Sequence, residues 1–351
     1  MTEIRVETPE ISVIVVNWNR RELSRACLES LAGQQGPAFE VIFVDNGSSD
    51  GSAGMAEEFS IASGLDIGII RNSRNCGFCE ANNQGIAQAR GQFVALLNND
   101  AEADGLWLAQ LHSAFKGRAD VGMAASKILV WEDPARIDKV GHLIYPDGQN
   151  RGRGTGEIDQ GQYDAVEEVL WPDGCAAMYR KSMLDQIGGF DQDLFAYADD
   201  AELGLRARIA GWRCLYAPGA RVRHHRGSTL GLRSMTRLRL IERNRILLAL
   251  KLFPWSLLLL NPAYYLARLV SGLSAAAAGE GETARFPGFM GKLRVAGAML
   301  MGDLEALSMA PRMLRKRASV DAIRALSASE VRKLILEHRI TLRELNGRAA
   351  S

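Results

Sequence analysis

The chain has 351 residues, 47% hydrophobic and 24% charged, with 42 Lys and Arg against 41 Asp and Glu. That length exceeds one typical domain and predicts a large domain with a smaller one beside it. A net charge of +1 provides no global field for polyanions, which argues against a nucleic-acid binder.

The first ten residues, MTEIRVETPE, lack the apolar core of a signal peptide and predict a cytoplasmic protein. Five cysteines, an odd number, read as free thiols. Cys76 and Cys79 have redox or zinc spacing, but no second close pair completes a zinc site.

Ile11 to Val16 is β-branched and predicts a first strand. It ends in Asn17-Trp18-Asn19-Arg20, and Leu23, Cys27, Leu28 and Leu31 follow at helical spacing. A dinucleotide site would place Gly-x-Gly-x-x-Gly at this junction, and the motif is absent. Val41 to Val44 is a second strand that empties into Asp45-Asn46-Gly47-Ser48. That is turn chemistry, and an Asp there can also accept a hydrogen bond from a pyrimidine N3–H. Ile67 to Ile70 is a third strand, followed by an amide-rich loop through Arg74, Asn75, Gly77, Asn82 and Asn83 that opens a helix. Helix N-termini and Arg side chains both suit a diphosphate.

Phe93 to Leu97 is a continuous apolar run, as expected of a strand buried on both faces of a parallel sheet. Asn98-Asn99-Asp100 follows at once. Ligands of open α/β sheets bind beyond the carboxyl ends of the strands. Asp100 therefore stands where a phosphate-bound Mg²⁺ or Mn²⁺ needs a hard oxygen ligand. The same residues also suit a plain turn and helix cap. Strand, polar crest and helix repeat, which predicts a doubly wound α/β domain with its crests on one edge.

Val121 to Ala125 reads as a further strand. Asp147 to Gly156 is Gly-rich and reads as a mobile loop, with no match to a P-loop. In Trp171-Pro172-Asp173-Gly174, the small residues that follow permit close backbone approach to a ligand. Asp199, Asp200 and Glu202 open a helix after Gly188-Gly189-Phe190-Asp191, where acidic residues also complement the helix dipole. His224 and His225 lie between Arg223 and Arg226.

Four segments in order, SVIVVNWNR, VIFVDNGSSDGS, RNSRNCGFCEANNQGI and ALLNNDA, resemble family 2 glycosyltransferases of the GT-A fold. Within that family the likeness is to bacterial rhamnosyltransferase-like members, over about residues 11 to 230. The resemblance implies a mostly parallel sheet flanked by helices in residues 1–235. It implies a nucleotide-sugar site of Asn17, Asn19, Asp45, Asn46, Arg74, Asn75, Gly77, Asn82, Asn83 and Asn99, with Asp45 on the pyrimidine. The family's Asp-x-Asp stands here as Asn98-Asn99-Asp100, so Asp100 is the retained metal ligand. His224 matches a family His that approaches diphosphate or metal. Trp171, Asp173, Gly174 and Asp199 fall beside donor sugar and acceptor. Asp200 matches the catalytic base, and Asp199 stands where the family usually has Glu.

The implied activity is inverting transfer from a nucleoside-diphosphate sugar, dTDP-rhamnose being one candidate, assisted by Mg²⁺ or Mn²⁺. The implied acceptor is a saccharide or lipid-linked saccharide of envelope polysaccharide assembly. A sugar-nucleotidyltransferase would instead want a Gly-rich phosphate loop after the first strand. A degenerate relative that only binds nucleotide or recruits partners to membrane is disfavoured by the retained Asp45, Asp100 and Asp200.

Leu230 to Lys251 carries Arg233, Arg237, Arg239, Arg243, Arg245 and Lys251 against Glu242. The apolar run that follows is broken by Pro254, Asn261-Pro262 and Arg268, short of the ~20 residues a spanning helix needs. Trp255, Tyr264 and Tyr265 are interfacial residue types. Residues 236–351 are thus expected to be helical and to lie on an anionic membrane surface, at the inner face of the plasma membrane. An ordinary helical cap or an oligomer contact would carry the same pattern. Gly279 to Thr283 reads as a loop, and Asn346 to Ser351 as a polar tail.

Overall fold

A computed structural model describes residues 8–226, 231, 233–279, 285–286 and 288–346. Most of the predicted 279–283 loop and of the polar tail lies outside these residues, as do positions 1–7 and 227–229.

The first half alternates strand and helix as expected: β1 (Ile11–Asn17), α1 (Arg21–Ala32), β2 (Phe39–Asp45), α2 (Ser52–Ser63), β3 (Ile67–Arg71), α3 (Phe78–Gln88) and β4 (Phe93–Leu97). These four strands are parallel, in the order β4-β1-β2-β3. The register sets Asn17 beside Asp45 and Asp45 beside Arg71, so the polar crests line one edge. Ile11, Val13 and Val15 face the α1 side and Ile14 the α3 side, each almost wholly buried, as period-2 alternation between two helical layers requires.

The second half departs from simple alternation. It contains β5 (Ala101–Ala103), α4 (Trp107–Ser113), β6 (Val121–Val130), β7 (Ile137–Lys139), β8 (His142–Ile144), β9 (Asn150–Gly152), β10 (Glu167–Glu168), β11 (Ala176–Arg180), α5 (Lys181–Ile187), α6 (Asp199–Ile209) and β12 (Arg213–His224). Strand β11 inserts antiparallel between β4 and β6, and β12 runs parallel to β6 on its other side. The sheet is therefore mixed but mostly parallel, with helices on both faces.

The Gly-rich stretch at 147–156 is not a mobile loop. It forms the β8–β9 hairpin, and Asp147 at its turn is fully buried against Arg268, with Nε to Oδ2 at 2.5 Å. Gly148 is there for close approach: a Cβ would meet the Arg245 carbonyl at 2.3 Å.

The chain ends in helices α7 (Met235–Leu252), α8 (Trp255–Leu258), α9 (Asn261–Ala277), α10 (Gly288–Ala322), α11 (Ala328–Glu337) and α12 (Leu342–Asn346). The two prolines that break the apolar run start helices: Pro254 caps α8 and Pro262 opens α9. Helix α7 is not surface dressing. Leu248, Ala249 and Leu252 share a core with Leu205 and Ile209 of α6. Its charges are consumed internally as well: Arg245 pairs with Glu242 and Asp303, and Lys251 with Asp191 and Glu202. Helices α9 and α10 differ, leaving Leu266, Val270, Leu273, Leu293, Leu300, Leu304 and Leu307 exposed. Among the described residues, no helix is long and apolar enough to cross a membrane.

Candidate active site

The crest of the parallel strands is an amide network. Asn17, wholly buried, donates to Asp45 Oδ1 at 3.4 Å and Ser48 Oγ at 3.1 Å, while its Oδ1 accepts from Ser24 and Asn99, both at 2.7 Å. One side chain thus joins the ends of β1, β2 and β4. Asn46 donates to Asn75 Oδ1 at 3.0 Å and accepts from Cys76 N–H at 3.1 Å, which fixes the loop before α3. Asn19 accepts from Ser49 N–H at 2.8 Å, and its positive φ of 51° suits Asn. Gly47 is obligatory, because a Cβ would stand 2.7 Å from the Arg74 backbone. Arg74 itself is exposed at the rim.

Next to this crest, Asp100 Oδ1 and His224 Nε2 converge to 3.4 Å, both nearly buried. The antiparallel pairing of β5 with β12 brings them together. The other ring nitrogen of His224 contacts Asp138 Oδ2 at 3.0 Å, and Asp138 also holds Arg226 at 3.0 Å. A carboxylate behind an imidazole whose second nitrogen meets another carboxylate is a metal-ligand arrangement. A hard oxygen beside one imidazole fits Mn²⁺ or Mg²⁺, with positions left for diphosphate oxygens and water.

A second cluster was not visible in the sequence. His142 Nε2 lies 2.8 Å from Asp173 Oδ2 and 3.4 Å from Asp200 Oδ2, and Lys139 Nζ bonds the same Asp173 oxygen. These ligand atoms of His142, Asp173 and Asp200 lie within 4.8 Å of one another and can geometrically hold a metal ion. Lys139 already supplies a cation there. Burial opposes ionisation of Asp173, yet Lys139 and His142 hold it well below the usual carboxylate range. Asp200 takes backbone N–H bonds from Ala201 at 2.7 Å and Gly174 at 3.4 Å. Burial raises its pKa, and His142 and Lys139 pull against that rise. Burial pushes the adjacent Asp199 up to about 8, with the Asp200 charge adding to it. Two adjacent buried carboxylates resist ionising together, so the pair holds a proton to higher pH than an ordinary carboxylate does.

One cavity of about 890 Å³ connects the crest to the His142 cluster. Asn46, Asn75, Gly77, Asn99, Asp173, Gly174, Asp199 and Asp200 all line it. Its far wall comes from α7, α9 and α10 through Arg237, Arg268, Leu269, Leu273 and Met299. Nine residues expected at the ligand do not line it: Asn17, Asn19, Asp45, Arg74, Asn82, Asn83, Asp100, Trp171 and His224. Asn82 donates to the Phe78 carbonyl within its own helix, at 2.9 Å. Asn83 exchanges two 2.8 Å bonds with the Phe190 backbone. Trp171 is fully buried and stacks behind His142, with ring centres 6.1 Å apart. Asn17 and Asp45 act from beneath the crest, within its hydrogen-bond network. Lys139 and His142 escaped notice because they sit on strands of three residues, placed only by pairing with β6 and β9. Their one signal was the charged run Asp138-Lys139-x-x-His142 between apolar neighbours.

A family model described as glycosyl transferase family 2 matches residues 12–188, and one described as glycosyl transferase family group 2 matches residues 158–278. The N-acetylglucosaminyl-diphospho-decaprenol L-rhamnosyltransferase of Mycobacterium tuberculosis is 26% identical over 254 residues, covering 64% of this chain and 78% of that protein. The O-antigen biosynthesis protein RfbC of Myxococcus xanthus is 28% identical over 232 residues, covering 63% of this chain. The match spans only 18% of the length of RfbC. In fold, the chain is similar to the mannosyltransferase PcManGT of Pyrobaculum calidifontis, solved with GDP-Man and Mn²⁺, at a TM-score of 0.52 and 19% identity over 91% of this chain and 86% of that one. With half of its length matched by the family model, the chain belongs to glycosyl transferase family 2, and within it is rhamnosyltransferase-like.

Proposed function

We propose that the protein is an inverting glycosyltransferase that moves a sugar from a nucleoside diphosphate, dTDP-rhamnose by likeness to its relatives, to a lipid-linked saccharide in envelope polysaccharide assembly. The observation that carries this reading is one cavity lined by Asn46 and Asn99 on the nucleotide side and by Asp200 on the other. Asp200 takes the acceptor hydroxyl proton as the acceptor oxygen attacks the anomeric carbon. The bond from that carbon to the diphosphate oxygen breaks, and the nucleoside diphosphate leaves with the electron pair. A positioned base of this kind contributes about 10²–10⁴-fold. Asp100 and His224 are the residues that would hold Mn²⁺ or Mg²⁺, which when bound neutralises charge on the departing diphosphate. Asp45, Asn46, Arg74, Asn75 and Gly77 shape the nucleotide side, and Asp173 and Gly174 the sugar side.

In this reading residues 1–235 carry the donor chemistry and residues 236–351 form the acceptor side. The exposed leucines of α9 and α10 flank the cavity wall, and Lys292 and Arg294 are exposed beside them. This supports peripheral binding to an anionic membrane surface on its cytoplasmic face, where a lipid-linked acceptor resides. The test is a thermal-shift panel of dTDP-rhamnose, UDP-sugars and GDP-mannose, with and without Mn²⁺. The expected result is a metal-dependent stabilisation by dTDP-rhamnose. No stabilisation by any nucleotide sugar would contradict the reading.

A further inference from the structure

The backbone that delivers Asp200 is strained. Among the described residues, four non-glycine residues have positive φ: Asn19, Phe195, Tyr197 and Ala198. Asn tolerates this region, whereas Phe, Tyr and Ala pay a steric cost there. Phe195, at φ 64° and ψ −60°, centres a three-residue turn closed by Ala196 N–H on the Leu194 carbonyl at 2.7 Å. That is the rare, strained form of the turn. Ala198, at φ 55° and ψ 12°, is the N-cap of α6 and so sets the direction of the turn that carries Asp199 and Asp200.

Strained backbone persists only where its surroundings hold it. Asn244 of α7 does so here. Its Nδ2 lies 2.9 Å from the Leu194 carbonyl, 2.8 Å from Ala196 and 2.7 Å from Tyr197. Its Oδ1 accepts from Arg243 Nε at 2.8 Å, which fixes the amide in this orientation. Arg243 Nη2 bonds the same Leu194 carbonyl at 2.8 Å. The donor side holds the loop from the opposite flank: Cys79 N–H donates to the Phe195 carbonyl at 3.1 Å, and the Phe195 ring fills the space a Cβ on Gly77 would take. Asn244 is fully buried, with Leu247 and Leu248 one turn further along the helix. Packing alone would favour an apolar residue there.

We propose that Asn244 is a positioning residue for the base: its two amide hydrogens, shared among three carbonyls of the 194–197 turn, hold the backbone that aims Asp200 at the acceptor. This rests on the reading of Asp200 as the base. The acceptor chemistry then depends on a side chain of the C-terminal helices, beyond residue 235.

The experiment compares wild type, Asn244→Ser, Asp200→Asn and the double variant. It measures release of nucleoside diphosphate from whichever panel nucleotide sugar the wild type uses, calorimetric binding of dTDP, UDP and GDP with Mn²⁺, and hydrogen exchange at the 196–200 amides. Asn244→Ser is expected to lose about 10²-fold in turnover, as misplacement of a catalytic group does. Nucleotide affinity should be unchanged, and the amides should exchange faster. In the Asp200→Asn background the same substitution should cost no further turnover. Near-wild-type turnover, unchanged exchange or an additive loss in the double variant would overturn the proposal, with the base reading intact. Full activity in Asp200→Asn alone would instead refute the base reading and this proposal with it. Should Asn244→Ser not melt cooperatively, Arg243→Met, which removes the bonds to Asp193, Leu194 and the Asn244 amide oxygen and the ion pair with Glu305, carries the same expectations at a smaller loss.

Discussion

Asp138 stands directly behind His224, its Oδ2 3.0 Å from Nδ1, so that Nε2 faces Asp100. A hydrogen bond from Nδ1–H to a carboxylate fixes the tautomer and leaves the Nε2 lone pair for a cation. Asp138→Asn keeps the shape and removes the charge. It is expected to weaken Mn²⁺ binding about 10–100-fold. Mn²⁺ titration in the presence of saturating dTDP checks this, and unchanged affinity would show that His224 is no ligand.

Asp199 carries a burial cost as a carboxylate. Its folded pKa of about 8 lies above the ordinary carboxylate value, so its protonated form favours the folded state. That contribution is complete at acid pH and is lost as pH rises from about 4 to about 8. Asp199→Asn removes the charge and is expected to melt above wild type, by a margin that grows across this window. Melting scans from pH 4 to pH 9 test it. A variant less stable than wild type at pH 8 would show that the Asp199 carboxylate is held by interactions worth more than its burial.

The opposite sign holds for Asp191. Burial raises it, but Lys251 and Lys316 hold its pKa down to about 2. Its stabilisation is present above about pH 4 and fades as pH falls towards 2. Asp191→Asn should cost about 2 kcal/mol at pH 7, from a shift of roughly two pKa units, and little near pH 2. Denaturant unfolding at both values decides, and an equal cost at the two pH values would rule out this pairing as its source.

Membrane binding should be driven more by leucine than by charge. Arg245, Lys251 and Arg268 are paired with acidic groups inside the protein, which leaves fewer cations for anionic lipid. Leu300→Asp with Leu304→Asp should abolish flotation with anionic liposomes, while raised salt weakens it only in part. Flotation that survives both aspartates would place the contact elsewhere.

The strands and crests of the parallel half were legible because short apolar runs ended in amides and carboxylates: Asp45 ends β2 and Asp100 follows β4. The C-terminal basic run was legible only in part, because Arg245, Lys251 and Arg268 pair inside the protein. Arginines at helical spacing read alike whether they face lipid or reach Asp303, Glu242 or a loop carbonyl, and only tertiary packing distinguishes the two. The same limit hid His142, whose partners Asp173 and Asp200 lie 31 and 58 residues away in sequence. It also hid Asn244, which in sequence was one polar residue between two arginines.

The proposed transfer turns on Asp200 taking the acceptor's proton. Its most direct measurement is sugar transfer by Asp200→Asn at saturating donor and acceptor, alongside donor affinity. Donor affinity is expected to equal wild type and turnover to fall by about 10²–10⁴-fold. Turnover near wild type, or loss of donor binding in place of turnover, would contradict it.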